Sequence, residues 1–509
     1  LTRAASLSNF PACSGNSFAA EIPLVSEDGM HPPISPPPHP WRLLALITVV
    51  LSVWGLADVR NRGVVDPRNV SLHKTDFSVY TEAGAAFFDG RDPYTVTNPR
   101  GWGYLYLPLF AMLMAPLHAL PPTVGCTVWF FISLATLAGC YFETVRLARL
   151  CIPRGSLSKG NLLPDWLVWA GLLTTALPTF NCLQRGQIGV LKLYLLLLGL
   201  RMALELGGRG RIFLAGIVLA LPIALKITPA LPVGFLWWEN LLASWRKGAP
   251  ANSRGRTIAG IGGTLAGLVL CILLIPAALV GWNNNLRHLS DWWELVGDKA
   301  HRPGYDRFAG DSYSVRNQSL SNALHHLGNW ADYKFGSGPY DLPFENEQTF
   351  VPEFITDKPA FEQMLLAARL FVLGCIVWLG IRTAQTHEPL AIVAGFGLAA
   401  AATLIIAPIA RAHYFVLLLP GTLFVPAWLL RVGYPQTARL LAWSPAVLTL
   451  VHYALMDVVG RVGLLGNGIA IWYLAAVALM LRTLRRPEAV VKPQAAAAIS
   501  PHAARAHGG

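Results

Sequence analysis

Carboxylates are scarce in this 509-residue sequence, with 28 Asp and Glu against 40 Lys and Arg. Four of them gather in one aromatic-rich stretch, residues 76–108, as Asp76, Glu82, Asp89 and Asp92. Elsewhere, polar groups interrupt apolar runs at a few points. These are Gln184-Arg185-Gly186-Gln187, Lys226 within Leu225-Lys226-Ile227-Thr228-Pro229, the segment Arg316-Asn317-Gln318-Ser319-Leu320, and Arg411 with His413. Ionisable groups beside apolar runs are costly to hold there and are functional candidates by default. A carboxylate facing Lys, Arg and His has the parts for a transfer reaction with an anionic leaving group. The carboxylate takes a proton from the attacking group, and the cations hold the charge that departs.

Each residue also has a structural alternative. Asp76, following Thr75, is placed to cap a helix. Lys226 can snorkel its ammonium to an interface, and Arg411 and His413 can anchor the start of a span. Gln187 can satisfy backbone groups at a helix break. Asn317-Gln318-Ser319 and Asn69-Val70-Ser71 match a glycosylation pattern that is common by chance.

The elements that position these groups follow from composition. Hydrophobic residues make up 54% and charged residues 13%, with mean hydropathy +0.45; a soluble domain carries about 25% charge. Apolar runs of roughly 17 to 25 residues recur between Arg- and Lys-containing breaks, which is the spacing of transmembrane helices. The net charge of +12 sits mainly in these short connections. That is a topology signal rather than a nucleic-acid face. Seven cysteines without a CxxC pair, four of them (Cys126, Cys140, Cys271, Cys375) inside apolar runs, argue against a disulfide framework or a zinc site. Neither a metal nor a cofactor is expected.

The expected organisation is an all-α integral membrane protein of about twelve transmembrane helices. Residues 1–40, polar and proline-rich, form a disordered cytoplasmic tail without a cleavable signal peptide, and 486–509 form a second such tail. Residues 41–485 form the membrane domain, with spans near 41–57, 123–146, 163–180, 187–206, 211–225, 228–245, 257–281, 361–382, 388–408, 412–431, 438–457 and 466–483. A first outer loop occupies 58–122 and a large outer loop 282–360. Within the first loop, Phe77, Tyr80, Ala83 and Phe87 recur at helical spacing, predicting an amphipathic helix on the membrane surface that Gly90 stops. Residues 104–120 are treated as interfacial or re-entrant. A crossing there would put Arg146, Arg149, Arg154, Lys159, Arg246, Lys247, Arg254 and Arg256 outside, against the positive-inside rule. Both termini then face the cytoplasm, and Asp76, Gln187, Lys226, Asn317, Arg411 and His413 all face the other side.

The order of seven short motifs closely resembles the polyprenol-phosphate-mannose-type glycosyltransferases of family 87 (the DUF2029 group), within the GT-C superfamily of membrane transferases. The motifs are Asp76-Phe77-x-Val79-Tyr80, Gly90-x-Asp92-Pro93-Tyr94, Tyr104-x-Tyr106-x-Pro108-Leu109, Gly186-Gln187, Leu225-Lys226-x-Thr228-Pro229, Asn317-Gln318-Ser319-Leu320 and Pro408-x-x-x-x-His413-Tyr414. The resemblance covers about residues 41–485. Two positions depart from it: Leu107 stands where the family often has proline, and Gly189 where it often has asparagine. The resemblance implies a GT-C-type helical bundle with interfacial helices on its outer face. It implies a donor hexose, by default mannose, on a polyprenyl phosphate, and transfer to a glycan or glycolipid acceptor at the outer face of a bacterial plasma membrane. Asp76 is the implied general base, and direct attack inverts the anomeric centre. Lys226, Arg411 and His413 are the implied phosphate-binding residues. Tyr80, Tyr94, Gln187, Asn317 and Gln318 are the implied sugar or acceptor contacts, and no metal is required. A transporter or flippase of lipid-linked sugars is the main rival, but it predicts inverted repeats that the sequence does not display. A polymerase using a pyrophosphate-linked donor would want more arginine near the outer site, and a scaffold would not need the one-sided polar convergence.

Overall fold

The computed structural model describes residues 38–58, 75–98, 103–153, 157, 162–205, 207–250, 252–298, 317–324, 359–386 and 388–485. The two expected tails therefore lie outside the described residues, apart from the helical start at Pro38, as do Arg316, the Asn69 motif and most of 299–358. The chain divides into residues 1–51 and 52–509. The first unit contributes the opening turns of α1 (Pro38–Ala57).

The second unit is helical among its described residues, with two isolated β-bridges, Thr97 to Gly103 and Asn317 to Arg411. In order come α2 (Phe77–Phe88), α3 (Pro108–His118), α4 (Pro122–Cys151), α5 (Asp165–Arg185), α6 (Gly189–Leu204), α7 (Arg209–Leu225), α8 (Ala230–Ser244) and α9 (Ser253–Leu268). A π-helical stretch, Val269–Leu274, joins α9 to α10 (Ile275–Val280), and α11 (Trp282–Trp292) follows. The remainder comprises α12 (Pro359–Thr383), α13 (Pro389–Ile406), a 3-10 segment Ala412–Leu418, α14 (Leu419–Arg431), α15 (Pro435–Ala454) and α16 (Leu464–Thr483).

Every expected apolar run falls on a helix, but among the described residues seven helices are by themselves long and apolar enough to cross a membrane. They are Pro122–Cys151, Asp165–Arg185, Ser253–Val280, Gln363–Thr383, Pro389–Ile406, Ala412–Arg431 and Leu464–Thr483. Large apolar side chains such as Ile258, Leu265, Leu370, Phe371 and Ile471 stand exposed on three of them. A water-soluble surface would not carry such a density of them, whereas lipid solvates it. The chain is a multi-pass membrane protein. Helix α3 has eleven residues, about 16 Å of rise, roughly half the hydrocarbon thickness of a bilayer. It opens on Pro108 at its first position with Leu107 extended before it, so the leucine keeps the entry geometry a proline would impose.

Helix α2 ends as expected, with Gly90 at φ +72°, but its apolar face does not rest on lipid. Phe77, Tyr80, Ala83 and Phe87 are buried, and Tyr80 packs edge-on against Phe110 of α3 at 4.9 Å between centroids. Phe88 remains exposed. The helical period identifies the buried face but not what buries it.

Consecutive long helices alternate in direction, which sorts the polar residues to two ends. At one end Arg201 binds Glu143 and, at 2.5 Å, Glu205, while Arg146 binds Glu143 at 3.0 Å. At that same end Arg431 pairs with Glu388 at 3.1 Å, and Arg246 donates to the Ala384 carbonyl at 2.9 Å. The C-terminus of α5, the N-terminus of α6, the C-terminus of α7 and the start of the 3-10 segment meet at the other end.

Candidate active site

The second end is built around the turn that closes α5. Gly186 adopts φ +68° and caps the helix in the left-handed region, which a side chain would strain. Its carbonyl accepts the Trp129 indole N–H at 2.7 Å. The preceding carbonyl, of Arg185, accepts both the Asp76 N–H at 2.9 Å and the Thr75 hydroxyl at 3.0 Å. The α5 turn and the start of α2 are thus one backbone unit.

This settles the capping alternative for Asp76. The Thr75 hydroxyl oxygen accepts the Phe77 N–H at 3.1 Å, and the Asp76 side chain makes no capping bond. Its carboxylate instead accepts from the Gln187 side-chain amide, with the Arg185 guanidinium 4.0 Å away. At 9% exposure Asp76 is buried yet reachable.

A polar chain runs behind it. The Gln187 carbonyl accepts from the Tyr106 hydroxyl at 2.9 Å. Tyr106, having donated its proton there, accepts from Tyr80 at 3.0 Å. Burial raises both phenols well above their ordinary range, and the nearby Asp76 charge raises both further, so they stay protonated and serve as donors. Every bond in Tyr80–Tyr106–Gln187–Asp76 points toward the carboxylate. Tyr106→Phe would leave Gln187 with an unpaired buried acceptor, worth about 1–3 kcal/mol. We expect transfer to fall about tenfold, with the thermal unfolding midpoint lowered by a few degrees; turnover equal to wild type would remove the chain from the reaction.

The cations come from three other elements. Lys226 follows α7 in extended conformation; its ammonium donates to the Tyr414 hydroxyl and lies 4.0 Å from that ring's centroid and 4.9 Å from that of Tyr106. Burial pushes its ammonium down to about 7; Arg411 adds to the fall, and Asp76 opposes it. Lys192, one turn into α6, is buried, donates to Thr228 at 3.3 Å and lies 5.6 Å from the Tyr414 ring. His413 is buried, and its Nε2 has no hydrogen-bond partner. Arg411 precedes it, paired in the bridge with Asn317.

The remaining sequence candidates are committed to bracing. The Asn317 side chain accepts from Ser319 N at 3.1 Å and from Ala410 N at 2.9 Å, and donates to the Pro408 carbonyl at 3.3 Å. Gln318 donates its N–H to the Ala410 carbonyl at 2.7 Å, and its side-chain oxygen accepts from Gly466 N at 3.2 Å. Both residues are 1% exposed, so the Asn317 glycosylation pattern is closed in the folded chain. Tyr94 is buried, and its hydroxyl donates to the Tyr106 carbonyl at 3.1 Å. Gly189 has no room for an asparagine side chain, since a Cβ there would lie 2.7 Å from Cys182 Sγ and 3.3 Å from a Val416 methyl.

Geometry thus joins Asp76, Tyr80, Gln187, Lys226, Arg411 and His413, and sets Tyr94, Asn317 and Gln318 behind them. Four contributors were given no role from sequence. Tyr106 and Tyr414 stood inside motifs, and Arg185 inside the break at 184–187. Lys192 carried the clearest signal, a lone ammonium in the run Gly189–Leu200.

Fold and site define a polytopic helical membrane protein with an internal centre where a carboxylate meets several cations. The model of glycosyltransferase family 87 matches residues 104–408, more than half of the 509-residue chain. The chain belongs to glycosyltransferase family 87 and is a glycosyltransferase, acting between a sugar donor and an acceptor at a lipid bilayer. No curated protein gives a significant match. The matched span includes Tyr106, Gln187, Lys226 and Asn317 but stops short of Asp76, Arg411 and His413, which the geometry attaches to it.

Proposed function

We propose that this protein transfers a hexose, by default mannose, from a polyprenyl-phosphate donor to a glycan or glycolipid acceptor, inverting the anomeric centre, with Asp76 as general base. The observation that carries the reading is the pairing of Asp76 with a cation-rich wall in one buried site. The acceptor hydroxyl is a weak nucleophile until its proton leaves as the new bond forms, and Asp76 is the carboxylate in reach of the site to take it. The departing polyprenyl phosphate gains negative charge, and Lys226, Arg411 and the orphaned His413 Nε2 are the groups to receive it. Arg185 and Lys192 add positive field behind them. Gln187 holds the carboxylate and Tyr80 extends its support through Tyr106, while Tyr94, Asn317 and Gln318 keep the turn and the 408–411 segment in place.

The twelve-span topology belongs to this reading. The arginine-rich end faces the cytoplasm by the positive-inside rule, both termini lie there, and the Asp76 end opens to the outer face of a bacterial plasma membrane. A lipid-linked donor suits such a site, because a phosphate on a membrane-resident carrier enters laterally. A flippase would bind the same donor without consuming it, so turnover separates the two. Reconstituted protein supplied with labelled polyprenyl-phosphate mannose should release free polyprenyl phosphate and a glycosylated acceptor, and a nucleotide-sugar donor should give neither. Translocation of intact donor without bond cleavage would sink the transferase assignment of the donor.

A further inference from the structure

We propose that Asp92, His288 and Asp291 form a site for one divalent transition-metal ion, Zn2+ or Mn2+, that staples α11 to the turn carrying Gly90–Tyr94. One donor atom from each of the three residues lies within 4.8 Å of the other two. Around an ion with bonds near 2.1 Å, neighbouring donors sit about 3.0 to 3.4 Å apart, so modest side-chain rotations close the shell.

The imidazole points to a ligand independently of the acids. His288 is 0% exposed, and neither ring nitrogen has a hydrogen-bond partner. Buried polar groups are normally paired, and an orphan costs about 1–3 kcal/mol. Its ring is fixed against Phe87 of α2, 5.2 Å between centroids. His288 and Asp291 are three apart on one helix and therefore share a face, while Asp92 arrives from the first loop with one oxygen already accepting Tyr94 N–H at 2.8 Å. Bringing two carboxylates beside a neutral, unpaired imidazole is unfavourable alone, and a cation removes both penalties.

One imidazole nitrogen with two carboxylate oxygens is a borderline donor set, which suits Zn2+ or Mn2+ better than Mg2+. Three protein ligands leave coordination open for water. Flanking contacts already aim α11 at the loop: Arg287 donates to the Gly90 carbonyl at 3.5 Å and the Trp292 indole to the Leu105 carbonyl at 3.3 Å. From sequence no metal is expected, because Asp92 lies far along the chain from His288 and Asp291 and no metal motif marks the helix that carries those two. The ion's role is positioning. It fixes Asp92, which holds Tyr94, whose hydroxyl supports the Tyr106 carbonyl.

The test is metal binding by the full chain, purified in detergent and stripped with EDTA, titrated calorimetrically with Zn2+ and with Mn2+ and assayed for bound metal, without any sugar donor. One saturable site per chain is expected, with a higher Tm in the loaded protein. Asp291→Asn and His288→Gln should each weaken binding at least tenfold and abolish the Tm shift, while Glu294→Gln, in the π-helical turn Trp293–Asp298 after α11 and outside the triad, should change neither. Should His288→Gln fail to fold, Asp92→Asn and the half-buried Asp291→Asn carry the comparison. Absence of saturable binding to the wild-type chain, or equal binding by folded ligand variants, overturns the site. Because no readout involves transfer, the outcome is separate from that of the Asp76 chemistry.

Discussion

Asp76→Asn should lower kcat by about 10²- to 10⁴-fold, the range typical of removing a positioned general base, while leaving the protein folded. The substitution keeps side-chain volume and an oxygen for the Gln187 amide. It spares the backbone bond from Asp76 N–H to the Arg185 carbonyl, and no helix cap is lost because Thr75 supplies it. What disappears is the ability to accept a proton, together with the one negative charge that Asp76 sets against the nearby cations. Donor binding should therefore hold or tighten as kcat falls, a split that a merely structural role would not produce. Glu82→Gln is the control: Glu82 lies on the exposed side of α2, 3.7 Å from His118 at the surface, and its loss should change activity less than twofold, on the order of the ±0.5 kcal/mol expected of surface substitutions. Near-normal turnover in folded Asp76→Asn would withdraw the base assignment.

Much of this arrangement was legible in the sequence, and the parts that were not share a cause. Hydropathy located the helices because burial in lipid and burial in protein both demand apolar runs of similar length. It could not say which helices cross unaided: Gly189–Leu204, Arg209–Leu225 and Ala230–Ser244 are short, and their apolar content reflects packing on neighbours as much as lipid. Gly263 illustrates this, since a Cβ there would lie 2.0 Å from the Phe213 carbonyl; small residues bring α7 and α9 into backbone contact. Gln187, Lys226 and His413 stood out as polar residues beside apolar runs, and Asp76 as an acid in an aromatic stretch of an acid-poor chain. Asn317 and Gln318 had the same appearance but a different fate. The Asn317 amide satisfies the irregular backbone at Pro408–Ala410, and the Gln318 side-chain oxygen accepts the Gly466 N–H, since such backbone groups need partners when buried. Only the fold reveals whether a buried amide faces a substrate or a peptide group. The His288 cluster was invisible for a related reason, since its three donors come from a turn and a helix that meet through tertiary contact.

Lys226 carries the second large effect. Lys226→Ala should lower kcat/KM for the donor by about 10²- to 10³-fold, the loss typical when a group that stabilises transition-state charge is removed. The pH profile provides the sharper test. Burial and Arg411 bring the free ammonium down to about 7, so the lysine is charged below that pH and neutral above it. A phosphate ligand stabilises the charged form, and donor binding above pH 7 must take up a proton. Since kcat/KM reports the ionisation of free enzyme, it should decline as pH rises past about 7, approaching tenfold per unit. A guanidinium remains charged throughout this range, so Lys226→Arg should retain part of the activity and flatten the alkaline limb. A limb unchanged in the arginine variant would assign it to another group. Loss of the limb together with weaker donor binding in Lys226→Ala would tie the ammonium to the phosphate. Tyr414 then acquires a defined part, since its hydroxyl and ring hold the lysine nitrogen in place for the phosphate.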